Sequence, residues 1–200
     1  MKDKGVIYKS KKTHMMLDLK KIDKSWTLFL DRDGVINHEK EMSYVLNYDE
    51  FIFYDGAKTA LKIFAESFST IVIVTNQRGI GKGLMTESAL TDIHSKMIAD
   101  IISEKGRIDK IYYSTSLDDN DPLRKPQHGM ALLAKKDFPQ IDFSKAIMVG
   151  NNISDMLFGR NAGMQTVFLK TTSPDQDLSH DGIDLGFERL IDFAKALQKS

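Results

Sequence analysis

The chain has 200 residues, 42% of them hydrophobic and 28% charged, with 28 basic residues balanced by 28 acidic ones and no cysteine. Zero net charge argues against a general affinity for nucleic acid or anionic membrane, and the lack of cysteine excludes disulfides, thiol catalysis and cysteine-ligated zinc. The length suffices for one sizeable core, no apolar run approaches the roughly 18 residues of a bilayer span, and the lysine-rich start lacks the apolar stretch of a secretory signal, all of which points to a cytoplasmic protein.

Residues 1–24 hold eight lysines against three aspartates with little periodicity, and read as an N-terminal extension to a single domain over residues 25–200. From there strands and helices alternate. Thr27–Leu30 is an apolar strand. Ala57, Ala60, Leu61, Phe64, Ala65 and Phe68 recur at helical spacing, and Ile71–Val74 is a second strand rich in β-branched residues. Thr86 reads as the N-cap of a helix whose apolar face runs from Leu90 to Ile102. Ile111–Tyr113 is a third strand, followed by a helix near Gly129–Phe138 and a fourth strand at Ala146–Val149. A helix over 153–161, a strand over 166–169 and a last helix through Phe187–Leu197 complete the chain. Strands separated by helices predict a three-layer, Rossmann-like α/β fold, a mostly parallel sheet covered on both faces.

The chemistry is concentrated at strand ends, where open α/β sheets bind ligands. Leu28-Phe29-Leu30 runs into Asp31-Arg32-Asp33-Gly34, which places two carboxylates at a carboxyl end before a glycine that turns the chain. One carboxylate is suited to attack phosphorus and the other to move protons. The second strand ends in Thr75-Asn76-Gln77, a hydroxyl and two amides able to hold phosphate oxygens without adding charge. Lys125, beside Pro126 at a helix entrance, is placed to neutralise a phosphoryl group, and Arg124 to clamp a second anionic group. Gly79-Ile80-Gly81-Lys82-Gly83 lacks the GxxxxGK[ST] spacing of a phosphate loop and reads as a flexible turn. The acidic run Asp118-Asp119-Asn120-Asp121 reads as a solvated loop rather than a calcium site.

These segments resemble the four signatures of the haloacid dehalogenase-like phosphatases, subfamily IIIA. The nearest branch acts on heptose 1,7-bisphosphate and histidinol phosphate. Asp31-Arg32-Asp33-Gly34-Val35-Ile36-Asn37, Thr75-Asn76-Gln77-Arg78-Gly79 and Arg124-Lys125-Pro126 carry the resemblance, which spans about residues 26–172. It implies Asp31 as nucleophile, Asp33 as acid/base, and Thr75 and Lys125 as phosphoryl holders. Asn76, Gln77, Arg78, Arg124 and Asn152 are the implied substrate contacts. It also implies Mg2+, with Asp31, Asp33 (through its backbone carbonyl), Asn151 and Asp155 as the candidate metal set. The family's fourth signature begins with aspartate where this chain has Asn151, an oxygen donor without the charge.

Many members of the branch fold a loop around zinc, using three cysteines and a histidine. Tyr112–Ser116 stands there without cysteine, so no zinc is expected. No segment is long enough for a large cap domain; His38–Asp55 amounts to a lid loop, which suits a compact phosphorylated metabolite, probed by a monomer without nucleic acid or membrane partners. The expected reaction is phosphate release from a sugar bisphosphate through an aspartyl-phosphate. Histidinol-phosphate phosphatase and a non-catalytic phosphosugar-binding homologue, the latter motivated by Asn151, are the alternatives.

Overall fold

A computed structural model describes residues 8–9, 17–40 and 43–199. Seven strands form one sheet: β1 (Tyr8–Lys9), β2 (Thr27–Leu30), β3 (Thr70–Asn76), β4 (Lys110–Ser114), β5 (Ala146–Gly150), β6 (Gln165–Leu169) and β7 (Leu185–Phe187). Their spatial order is β1-β7-β6-β5-β2-β3-β4, and every neighbouring pair is parallel except β1 with β7. Among the described residues six α-helices accompany them: α1 (Ala57–Ser67), α2 (Arg78–Gly81), α3 (Glu87–Ser103), α4 (Gly129–Asp137), α5 (Ile153–Ala162) and α6 (Leu190–Gln198).

Alternation along the central strands builds the three layers. Leu28 and Leu30 of β2 point to the side covered by α1, α3 and α6, where they meet Leu61, Phe64, Ile93 and Phe193. Phe29 points the other way, into Met130 and Ala134 of α4 and Phe158 of α5. Because both faces are covered, β2, β3 and β5 read as continuous apolar runs instead of alternating ones. Thr86 caps α3 by accepting a hydrogen bond from the Ala89 N–H, as its position predicts.

The chain departs from expectation in three places. The last helix begins at Leu190, and Phe187 belongs to β7; three strand residues carry no legible period. The glycine segment expected as a flexible turn contains the single helical turn α2. His38–Asp55 is anchored at its middle: Val45 and Phe51 are buried in the core, and the Tyr48 hydroxyl donates to Asp100 of α3 at 2.6 Å. Of the extension over 1–24, residues 1–7 and 10–16 lie outside the described residues; Tyr8–Lys9 pairs with β7, and Leu17 is buried. Among the described residues no helix is long and apolar enough to cross a membrane.

Candidate active site

The sheet order reverses between β2 and β5, since the chain lays β3 and β4 on one side of β2 and β5 to β7 on the other. Such a switch point opens a crevice beyond the carboxyl ends of the strands. A cavity of about 330 Å³ lies there, lined by Asp31, Asp33, Thr75, Asn76, Arg78, Arg124, Lys125, Asn151, Asn152 and Asp155, together with Glu39 and Ser154.

Asp31 follows β2 directly and is fixed to the neighbouring strand by its N–H, which donates to the Val149 carbonyl at 3.0 Å. Its Oδ1 accepts from the Arg32 N–H at 2.7 Å and lies 3.0 Å from Lys125 Nζ. Burial pushes the Asp31 carboxyl up to about 7, against the pull of Lys125 and with the charges of Asp155 and Asp33 adding to it. Gly34 makes the turn at φ +78°, and a Cβ there would collide with the Asn151 side chain.

Asp33 is held from three directions. Arg32, almost wholly buried, donates to both of its carboxylate oxygens at 2.9 Å. Asn37 Nδ2 donates to Oδ1 at 2.9 Å, and Gln77 Nε2 to Oδ2 at 3.0 Å. Burial acts to raise the Asp33 carboxyl, but the Arg32 charge and these hydrogen bonds outweigh it and hold the group below its usual range. Behind Arg32 lies His94 of α3, its Nε2 3.1 Å from Nη1. Burial and the Arg32 charge push that imidazole down to about 3, so it is neutral and accepts from Arg32.

Lys125 is a buried cation of the site. Its Nζ lies 2.6 Å from Asp155 Oδ1 and 3.0 Å from Asp31 Oδ1. Burial alone would lower its pKa, yet the two carboxylates raise it. Asn76 clamps the Lys125 backbone in both directions, accepting from its N–H at 3.1 Å and donating to its carbonyl at 3.2 Å. Arg124 is pinned by Asp119, with Nε to Oδ1 at 2.9 Å, so part of the acidic run positions an active-site cation.

Asp155 is engaged through both oxygens. Oδ1 takes Lys125, and Oδ2 accepts from the N–H groups of Asn151 and Asn152 at 3.2 and 3.1 Å, in a capping box at the start of α5. Gly150 permits this, because a Cβ there would strike the Asp155 carboxylate. Asn152 lines the cavity as the N-cap of α5. Gln77, grouped from sequence with the substrate contacts, does not line the cavity; it is buried, and its amide bridges Asp33 and Thr75 Oγ1.

The metal question turns on Asn151. Its Nδ2 donates to Thr172 Oγ1 at 2.7 Å, and its Oδ1 is buried without a hydrogen-bond partner. An orphaned buried oxygen in the same cavity as the Asp31 carboxylate fits a hard cation that takes oxygen ligands. Among the described residues no three His, Cys, Asp or Glu side chains converge as a metal-holding group. A set made from one carboxylate, one amide oxygen and a peptide carbonyl has no need of such a group.

Residues 27–191 match the family described as polynucleotide kinase 3 phosphatase. The chain is 38% identical over 146 residues to a D-glycero-alpha-D-manno-heptose-1,7-bisphosphate 7-phosphatase of Campylobacter jejuni, covering 73% of this chain and 83% of that protein. The chain belongs to the haloacid dehalogenase-like phosphatases. Another member, the D-glycero-beta-D-manno-heptose-1,7-bisphosphate 7-phosphatase of Escherichia coli, is 32% identical over 181 residues, with 86% of this chain and 93% of that one covered. Among solved structures, the D,D-heptose 1,7-bisphosphate phosphatase from B. bronchiseptica, complexed with magnesium and phosphate, superposes with a TM-score of 0.78 at 27% identity, over 87% of this chain and 98% of that chain.

Sequence reasoning missed Glu39 and Ser154 in the cavity lining, and Arg32, Asn37, His94 and Thr172 behind it. Arg32 and Asn37 lay inside the first signature. For His94 no signal existed, because nothing in a helical period marks which residue meets a distant arginine.

Proposed function

We propose that this phosphatase hydrolyses heptose 1,7-bisphosphate, releasing the 7-phosphate through an aspartyl-phosphate on Asp31, with magnesium as cofactor. The meeting of Asp31, Asp33, Thr75 and Lys125 around one cavity carries the reading, in a chain whose curated relatives have that activity. Asp31 Oδ1 is held by Arg32 N–H and Lys125, which leaves Oδ2 to attack phosphorus. The bond from phosphorus to the sugar oxygen breaks as Asp33 gives that oxygen a proton. Water then attacks the aspartyl-phosphate and loses its proton to Asp33, and the bond between Asp31 and phosphorus breaks.

Asp33 is ionised at rest, the form that the second step needs. A substrate phosphate dianion beside it favours proton uptake, which supplies the first step. Lys125 meets the phosphoryl charge, and Asp155, with both oxygens engaged, positions Lys125 and is a poor direct ligand. Asp31, the Asn151 oxygen and the Asp33 backbone carbonyl would hold magnesium, whose charge would offset repulsion between the Asp31 carboxylate and the phosphate. Arg78 and Arg124, on the cavity wall, suit the second phosphate of a bisphosphate. The same reading takes the partner to be a small phosphorylated metabolite rather than nucleic acid or membrane, and the enzyme to be a cytoplasmic monomer.

The test is phosphate release from both anomers of heptose 1,7-bisphosphate, from histidinol phosphate, from an aryl phosphate and from a 3′-phosphorylated oligonucleotide, with magnesium and with chelator. The expected result is magnesium-dependent turnover with the highest kcat/KM on a heptose bisphosphate. Higher kcat/KM on histidinol phosphate or the oligonucleotide overturns the substrate, and no turnover on any of them overturns the enzyme.

A further inference from the structure

Gln77 is buried and takes no part in the mechanism above, yet its amide touches two of the residues that do. The end of β3 brings it there. Side chains two apart on an extended chain share a side, so Thr75 and Gln77 lie together. Asn76 between them turns the other way and clamps the Lys125 backbone. The Gln77 N–H donates to the Ser114 carbonyl at 2.7 Å, which continues the pairing of β3 with β4 and fixes where the side chain starts.

The partners assign the hydrogens. The ionised Asp33 carboxylate only accepts, so the Gln77 atom 3.0 Å from its Oδ2 is the amide nitrogen. The same nitrogen lies 2.9 Å from Thr75 Oγ1, and its second hydrogen goes there. A hydroxyl has one hydrogen and two lone pairs. With a lone pair taken by Gln77, the Thr75 proton points elsewhere, and among the described residues no acceptor takes it. Thr75 lines the cavity, where a phosphoryl oxygen is the acceptor that the reaction supplies.

We propose that Gln77 is a positioning residue for phosphoryl transfer: by donating to Thr75 Oγ1 it fixes that hydroxyl as a donor to the phosphoryl group, and its bond to Asp33 Oδ2 anchors the amide in this orientation. The proposal rests on the phosphatase reading of the site. A donor oriented before substrate arrives needs no reorganisation as the transition state forms. Without the amide the hydroxyl is a free rotor, and in some of its orientations a lone pair faces the phosphate and repels it. Asp33 depends on Gln77 less, because Arg32 and Asn37 also hold it.

Steady-state kinetics of the full chain on heptose 1,7-bisphosphate and on an aryl phosphate test it. Thr75→Val, which removes the hydroxyl, is expected to lower kcat by about a hundredfold. Gln77→Met keeps the length and removes both donors. Its kcat is expected to fall about tenfold on both substrates, with KM little changed. In the Thr75→Val background the same substitution is expected to lower kcat by no more than about twofold, because the hydroxyl through which Gln77 acts is already gone. Gln77→Glu keeps the size but offers Thr75 an acceptor, which draws the hydroxyl proton away from the phosphate; a fall at least as large is expected, and this variant carries the test if Gln77→Met does not fold. Either variant turning over as fast as the parent overturns the proposal, as does a Gln77→Met loss that is the same with and without the Thr75 hydroxyl; both results leave the phosphatase reading standing. Absence of turnover in the parent overturns that reading itself.

Discussion

The Lys125 ammonium lies 2.6 Å from Asp155 Oδ1, and both side chains are sealed from solvent, at 2% and 1% exposure. Asp155 therefore holds the phosphoryl-binding cation while its other oxygen caps α5, so one carboxylate couples the site to the fold. Asp155→Asn leaves Lys125 with Asp31 alone in a dry setting. Breaking one side of a buried pair costs about 3–5 kcal/mol. Urea denaturation is expected to show a loss of that order, and phosphate-release assays a fall in kcat. A variant as stable as the parent shows that Asp31 alone suffices to hold Lys125.

Asp31→Asn is expected to abolish turnover and keep the fold. The amide occupies the same volume and removes a carboxylate whose burial is unfavourable, while Lys125 retains Asp155. Phosphate release is expected to drop by at least about a thousandfold, with an undiminished melting temperature. Substantial turnover in the purified variant rules out the aspartyl-phosphate.

Arg124 and Lys125 are adjacent yet serve different ends of the substrate. Arg124→Ala is expected to lower kcat/KM on a sugar bisphosphate by about tenfold or more and to leave an aryl phosphate nearly unaffected, whereas Lys125→Ala lowers both. Asp119→Asn, which frees Arg124 from its 2.9 Å tether, is expected to raise KM for the bisphosphate with kcat little changed. Equal losses on the two substrates for Arg124→Ala would remove the second-phosphate role.

His94 gives the fold an acid-sensitive component. In the unfolded chain it takes a proton near the ordinary value of 6.5, whereas in the folded chain it resists protonation down to about 3. The unfolded state binds more protons between those values, so stability present above the unfolded value is lost as pH falls through that window. Replacing His94 with Gln removes the titration. The melting temperature of the variant is expected to fall several degrees less than the parent's between about pH 7 and about pH 4.5; equal losses place the acid sensitivity elsewhere.

By itself the sequence determined the order of β2 to β6 and of the longer helices, and the four strand-end segments that carry chemistry, because both are local. An apolar run of four to seven residues, a helical period in α1 and α3, and Asp-x-Asp-Gly after a strand are all written in consecutive residues. The departure at Asn151 was equally plain. Only the tertiary structure decided how the parts act on one another. Arg32 meets His94 across 62 positions, and Gln77 meets Asp33 across 44, contacts created when α3 and β3 pack beside β2. Short elements were hidden for a related reason. The three residues of β7 gain their hydrogen bonds from β6 and β1, so their strand conformation is set by neighbours and not by their own sequence.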